Sequence, residues 1–394
     1  MILDEAHQVP EIAAQFFGRE FSSRQAMLLA RDAQAELARL GLAATATREG
    51  LAALESAVGE ATAAVPGAGE RSEWANMPET FVAALERVRE SLARAGNELS
   101  AADPEDPGLR HAARRAGKLA ETLEAILDAG ADDGLRWVEA GRGGFTLAFT
   151  PFEVAARLGE LMRAQGGAWI FTSATLAVGE DFSHFLGRIG APAAQSVRIE
   201  SPFDFESQAM LLLPSGMPDP ASREYTSRVV AAALPLVEAA GGRSFLLFTS
   251  HRALGEAARE LESRPGFRER YPMLVQGEAP RESLLARFRE LGNAVLLGTA
   301  SFWEGVDVRG HALALVVIDK LPFAAPEDPL LKARLEGIRR RGGNPFQEFQ
   351  LPQAVLALKQ GFGRLIRDRE DFGVVMLCDP RLRTRGYGRL FLSS

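Results

Sequence analysis

The chain has 394 residues, 46% of them apolar and 25% charged, which suffices for a buried core in two or three domains and excludes a disordered or fibrous protein. A single cysteine, Cys378, excludes a disulfide framework, an all-cysteine metal centre within one copy and a thiol redox pair, so a reducing, cytoplasmic setting is the expectation. Lys and Arg total 45 against 52 Asp and Glu, a net charge of −7, so any contact with nucleic acid has to be a local basic patch.

Met1 to Leu3 is a short apolar run that ends in carboxylates, the texture of the last residues of a strand whose beginning is missing. From about Ala14 to Gly141 the chain is rich in Ala, Leu, Glu and Arg, and apolar residues recur at helical spacing: Leu29, Ala33 and Leu37; Phe81, Leu85, Val88 and Leu92; Leu119, Leu123 and Ile126. This spacing predicts several amphipathic helices broken at Pro66-Gly67 and from Asp103 to Gly108. After Gly141 short apolar runs alternate with helical stretches. Strands are expected at Phe145 to Phe149, Trp169 to Phe171, Ala209 to Leu213, Ser244 to Phe248, Ala294 to Leu297, Ala312 to Ile318 and Gly373 to Leu377. Helices are expected at Arg252 to Ser263, Arg281 to Leu291 and Pro352 to Ile366. That alternation predicts a doubly wound, mainly parallel α/β architecture, whose ligands bind beyond the carboxyl ends of the strands.

The residues at those ends carry the chemistry. Asp4-Glu5-Ala6-His7 has the pattern of a Walker B strand end, in which one carboxylate holds Mg²⁺ and its neighbour orients the attacking water; an acidic first turn of a helix reads the same. Thr172-Ser173-Ala174-Thr175 sets hydroxyls where they can bond a carboxylate on a neighbouring strand and report the state of a bound nucleotide; an ordinary Ser/Thr turn has the same letters. Gly298 to Asp307 combines small residues, Phe302, Trp303 and two carboxylates, suited to gripping phosphates and stacking on bases, although large aromatics more often pack in a core. In Gln360 to Arg367 a helix would put Gln360, Arg364 and Arg367 on one face, two guanidiniums that suit a phosphate; a solvated basic face is the plainer alternative.

In this order the segments resemble the DinG/XPD-like branch of superfamily-two DNA helicases: Asp4 to His7 as motif II, Thr172 to Leu176 as motif III, Phe248 to Ser250 as motif IV, Gly298 to Asp307 as motif V and Gln360 to Arg367 as motif VI. The resemblance implies RecA-like sheets, one partial and one complete, with an inserted helical arch. Residues 1–14 would end the first motor domain, 15–144 form the arch, 145–200 complete the first motor domain and 201–394 form the second. It implies catalytic roles for Asp4, with Mg²⁺, and for Glu5, His7, Gln360, Arg364 and Arg367. Ser173, Ala174, Thr175, Gly305 and Asp307 would couple to the nucleotide, and Thr249, Ser250, Thr299 and Ser301 would touch nucleic acid.

The implied activity is ATP-dependent unwinding of single-stranded or forked DNA in the five-prime to three-prime direction, with replication or repair proteins as partners. No Gly-x-x-x-x-Gly-Lys-Ser/Thr occurs in these residues, and the four cysteines of the family's iron–sulfur cluster have no counterpart. The chain is therefore expected to be the portion of such an enzyme that follows the P-loop, inactive alone. A non-catalytic module for single-stranded DNA or a partner, or a subunit completed in trans by a P-loop chain, are the alternatives. No apolar run reaches the roughly 18 residues needed to span a bilayer, and the first residues lack a signal-peptide pattern, so no membrane partner is expected.

Overall fold

The structure, a computed structural model, describes all residues except 67–70, 131–132, 142, 300–301, 303–309, 325–327, 364, 367 and 369. Its strands are, in chain order, β1 (Ile2–Leu3), β2 (Arg19–Ser22), β3 (Arg71–Glu73), β4 (Gly134–Gly141), β5 (Gly144–Pro151), β6 (Ile170–Phe171), β7 (Ala209–Leu212), β8 (Ser244–Phe248), β9 (Met273–Val275), β10 (Val295–Thr299), β11 (Leu315–Ile318) and β12 (Gly373–Leu377). They form three sheets: a parallel β1-β6 pair, an antiparallel β2-β5-β4-β3 sheet and a six-stranded sheet in the order β7-β12-β11-β8-β10-β9.

Every pairing in the six-stranded sheet is parallel. The central strands β8, β10 and β11 are buried at every residue, as expected of strands covered on both faces. Period-two alternation divides them between two cores. Phe245, Leu247, Leu296, Val316 and Ile318 face the helix Leu351–Phe362, while Leu246, Phe248, Val295, Leu297 and Val317 face the helices Tyr225–Ala239 and His251–Glu262. The strand β9 lies at the edge and was not expected; three residues after Pro272 give too short an apolar run to register as a strand.

Four long helices, Ser23–Arg39, Thr45–Ala64, Glu79–Ala102 and Pro107–Leu127, fill the region expected to be helical. Their shared core takes the heptad-like positions Leu29, Leu37, Phe81, Leu85, Val88, Leu92, Leu123 and Ile126, and many alanines let the helices approach closely; Leu119 packs at its rim. The Asp106 carboxylate accepts a hydrogen bond from the Leu109 N–H, with Pro107 in the first turn, so the break after Ala102 ends at a built helix start.

Two boundaries differ from the sequence expectation. The strand at Phe145 to Phe149, read as the start of the returning α/β unit, belongs to the antiparallel sheet: β5 pairs with β2 and β4 and lays Phe145, Leu147 and Phe149 on the helical core. Such one-faced burial suits an antiparallel strand, and the glycine-rich turn between Gly141 and Gly144 makes a β4–β5 hairpin of residues whose first half was read as helix. The helices and the antiparallel sheet from β2 to β5 thus share one core, whose ends lie a few residues inside or beyond the expected 15–144. The helix Val9–Phe17 lies outside it, packing Ala13 and Ala14 against Val154, Leu158 and Phe185 beside the β1-β6 pair. Among the described residues no helix is long and apolar enough to cross a membrane.

Candidate functional site

Parallel strands end on the same side, and the register Leu3↔Phe171 places Asp4 and Glu5 beside Thr172 and Ser173. The Thr172 hydroxyl donates to Asp4 Oδ1 at 2.8 Å, and this bond together with the Glu5 backbone N–H holds the exposed Asp4 carboxyl below the usual carboxylate range. The Ser173 hydroxyl donates to Glu5 Oε2 at 3.2 Å, and His7 Nδ1 lies 3.0 Å from the same hydroxyl oxygen and 3.4 Å from Glu5 Oε2. One proton arrangement satisfies the group: His7 Nδ1–H donates to Ser173, which donates to Glu5. Glu5 stands in the left-handed region at φ 49°, the only non-glycine residue with positive φ among those described.

The hydroxyl path continues from the first α/β unit to the second. Thr175 is buried, with its Oγ1 3.5 Å from Ser173 Oγ, and it accepts a hydrogen bond from Gln360 Nε2 at 3.2 Å. Beside it Lys359 Nζ donates to the Ala177 carbonyl at 3.2 Å. Ala174 is exposed between the two hydroxyl residues. Glu5, Ser173, Thr175 and Gln360 thus connect the strand end of one unit to a helix of the other. The helix expected over Pro352 to Ile366 ends at Phe362 with Gly363 at its cap, and glycines at 361 and 363 are poor helix formers. Arg364 and Arg367 lie outside the described residues, as do Ser301, Gly305 and Asp307.

At the carboxyl ends of the six-stranded sheet the expected nucleic-acid contacts are tied to internal partners. Thr249 donates to Asp319 from its N–H (2.9 Å) and its hydroxyl (3.4 Å), and the Ser250 hydroxyl accepts from the Ala253 N–H as a helix cap. Thr299 is buried and donates to Gln276 Oε1 from its N–H at 2.7 Å and its hydroxyl at 3.0 Å. Burial pushes the Asp319 carboxyl up to about 6, against the hydrogen bonds from Lys320 and Thr249. Sequence reasoning does not single out Gln276, His184 and Gln353, whereas Asp319 with Lys320 is among the strand-end residues it points to. The signal of Asp319 is a carboxylate directly after an apolar run; the other three have no local pattern.

Among the described residues no group of three or more His, Cys, Asp and Glu side chains could hold a metal ion. Asp4 with its hydroxyl partner is the kind of single-carboxylate seat that Mg²⁺ uses when phosphates and water supply its other ligands. The described residues do not fit an iron–sulfur cluster, since Cys378 is the only cysteine and is buried.

Residues 233–394 match the helicase C-terminal domain family. Over its whole length the chain is 42% identical to the ATP-dependent DNA helicase YoaA of Escherichia coli, of which it covers 62%. Over 70% of its length it is 34% identical to the 3'-5' exonuclease DinG of Bacillus subtilis, covering 30% of that protein. Among solved structures it resembles S. tokodaii Xpd4 with a TM-score of 0.58 at 15% identity, over 97% of this chain and 72% of that one. The chain spans about three fifths of the length of the YoaA proteins it matches.

Proposed function

We propose that the chain belongs to the DinG/XPD-like branch of superfamily-two helicases and serves ATP-dependent unwinding of single-stranded or forked DNA, moving five-prime to three-prime. The observation that carries this reading is the hydrogen-bonded path from Glu5 through Ser173 and Thr175 to Gln360, which ties the strand end of one RecA-like unit to the other. In this reading Asp4 seats the Mg²⁺ of bound ATP, and Glu5, set by Ser173 and His7, orients the attacking water. Arg364 and Arg367 stabilise charge on the transferring phosphoryl group, Gly305 and Asp307 couple to the nucleotide, and Thr249, Ser250, Thr299 and Ser301 line the DNA path. A P-loop is not among these residues, so its phosphate cradle comes from further polypeptide, in cis or in a companion chain.

The test is ATP hydrolysis with saturating single-stranded DNA, with strand displacement on a five-prime overhang alongside. These 394 residues alone should turn over no ATP; joined to a P-loop segment they should do so and lose it with Glu5→Gln. Turnover by the chain alone that Glu5→Gln abolishes would overturn the need for an added cradle. Turnover in the joined protein that survives both Glu5→Gln and Gln360→Ala would overturn the site.

A further inference from the structure

The helix that carries Gln360 begins in a wider turn. Phe346–Gln350 is a π-helical turn, closed by the Leu351 N–H on the Phe346 carbonyl, and it runs directly into Leu351–Phe362. Pro352 explains the widening. In a continuous α-helix the Glu348 carbonyl would accept from the N–H of residue 352, but proline has none and its ring crowds that carbonyl. The donor arrives from the other α/β unit: His184 Nδ1 lies 3.1 Å from the Glu348 carbonyl oxygen. The same ring takes a second bond, from Gln353 Nε2 to His184 Nε2 at 3.1 Å. A carbonyl only accepts, so Nδ1 carries the proton and Nε2 is the acceptor, and the neutral ring satisfies both partners at once.

His184 is itself held. It lies on the helix Ser183–Ile189, which packs Phe185 and Ile189 into the core beside β6. One turn on, Arg188 pairs with Glu11 at 2.7 Å and lays its guanidinium over the Phe349 ring at 5.5 Å; Arg334 lies over the same ring at 5.0 Å. The helix Leu351–Phe362 with its preceding turn therefore meets the first unit at two separated places, His184 near its start and Thr175 with Ala177 near its end. Residues 353 and 360 are two turns apart, about 10 Å along a helix. A single contact leaves a rod free to pivot; two fix its direction.

We propose that His184 is a positioning residue, which supplies the donor that Pro352 denies to Glu348 and so sets the angle at which the Gln360 helix meets the first RecA-like unit. What the helix delivers rests on the helicase reading, but the angle itself does not.

The test is single-molecule fluorescence transfer in the 394-residue chain, without nucleotide or DNA, between dyes on the exposed positions Ala164→Cys and Glu269→Cys; the buried Cys378 stays unlabelled. The parent should give one narrow population. His184→Ala should broaden or split it while far-ultraviolet circular dichroism stays unchanged. His184→Asn, whose amide N–H stands where Nδ1–H does, should keep the narrow population. Pro352→Ala gives Glu348 an internal donor and should broaden the distribution by itself, and adding it to His184→Ala should do no more than the larger single effect. A folded His184→Ala with the parent's narrow population, an Asn variant indistinguishable from the Ala variant, or additive effects of the pair would each overturn the proposal. Failure of the helicase reading would appear in ATP turnover and leave this result unchanged.

Discussion

Glu5 occupies a backbone conformation that ordinary side chains avoid, at φ 49° and ψ 40°. The left-handed region costs an L-residue roughly 1–2 kcal/mol, a strain held here by the Ala6 N–H bond to the Thr172 carbonyl (3.0 Å) and the Ser173–Glu5 contact. Glu5→Gly and Glu5→Ala both delete the carboxylate and differ in the backbone, so the glycine variant should be the more stable by about 1 kcal/mol in urea unfolding. His184 gives a pH signature instead. Burial, helped by Arg188, lowers its pKa to about 4, against the Glu348 carbonyl, Glu11 and Asp181. A histidine depressed on folding adds stability that is full above its unfolded value near 6.5 and fades as pH falls toward 4. The unfolding free energy of the parent minus that of His184→Asn should therefore decline across that window and be flat above pH 7. At this scale the sequence exposes a residue only through its neighbours in the chain. Asp4, Glu5, Thr172 and Ser173 are legible because all end apolar runs, whereas His184 meets a partner 169 residues away and no spacing announces it.

The elements most legible in advance are the ones least dependent on context. Ser244–Phe248 and Gly373–Leu377 stand where their apolar runs do, because a strand buried on both faces has few other uses for five consecutive apolar or small residues. Elements set by a partner were misread: β4 within a helical texture, β5 assigned to the wrong sheet, and the Gln360 helix carried past the glycines that end it. The short helix that holds His184 shows how an element's end is specified. It stops at Gly190, with φ 71°, and a Cβ there would collide with the Ala155 carbonyl; a Cβ on Gly187, within the same helix, would meet nothing. Gly190→Ala combines left-handed strain with a backbone clash and should destabilise by about 2 kcal/mol or more. Gly187→Ala should stabilise by roughly 0.5–1 kcal/mol through the entropy of the unfolded chain. Equal losses in the two variants, measured by chemical denaturation, would show that the tight approach at Gly190 is not what fixes this helix.

For the molecule as a whole, the alternation of strands and helices announces a parallel α/β unit after residue 201, but not the order in which its strands lie. The order β7-β12-β11-β8-β10-β9 is a matter of crossovers that local patterns do not encode. The architecture nevertheless makes a claim about independence. Every strand of this sheet comes from residues 209–377, and both of its cores are built almost wholly from the same unit, with Val178 a partly buried visitor from the other. What crosses to the first unit includes the polar contacts at Thr175, Ala177 and His184, which water can replace when they are lost. Interfaces of that kind join domains that fold separately. Residues 201–394 expressed alone should therefore unfold in one cooperative urea transition, with coincident circular dichroism and tryptophan-independent tyrosine signals, and should bind no hydrophobic dye before it. A gradual transition, or dye binding in the absence of denaturant, would mean that the second unit needs the first to complete its core, and that the contacts at Thr175 and His184 are part of one fold and not a joint between two.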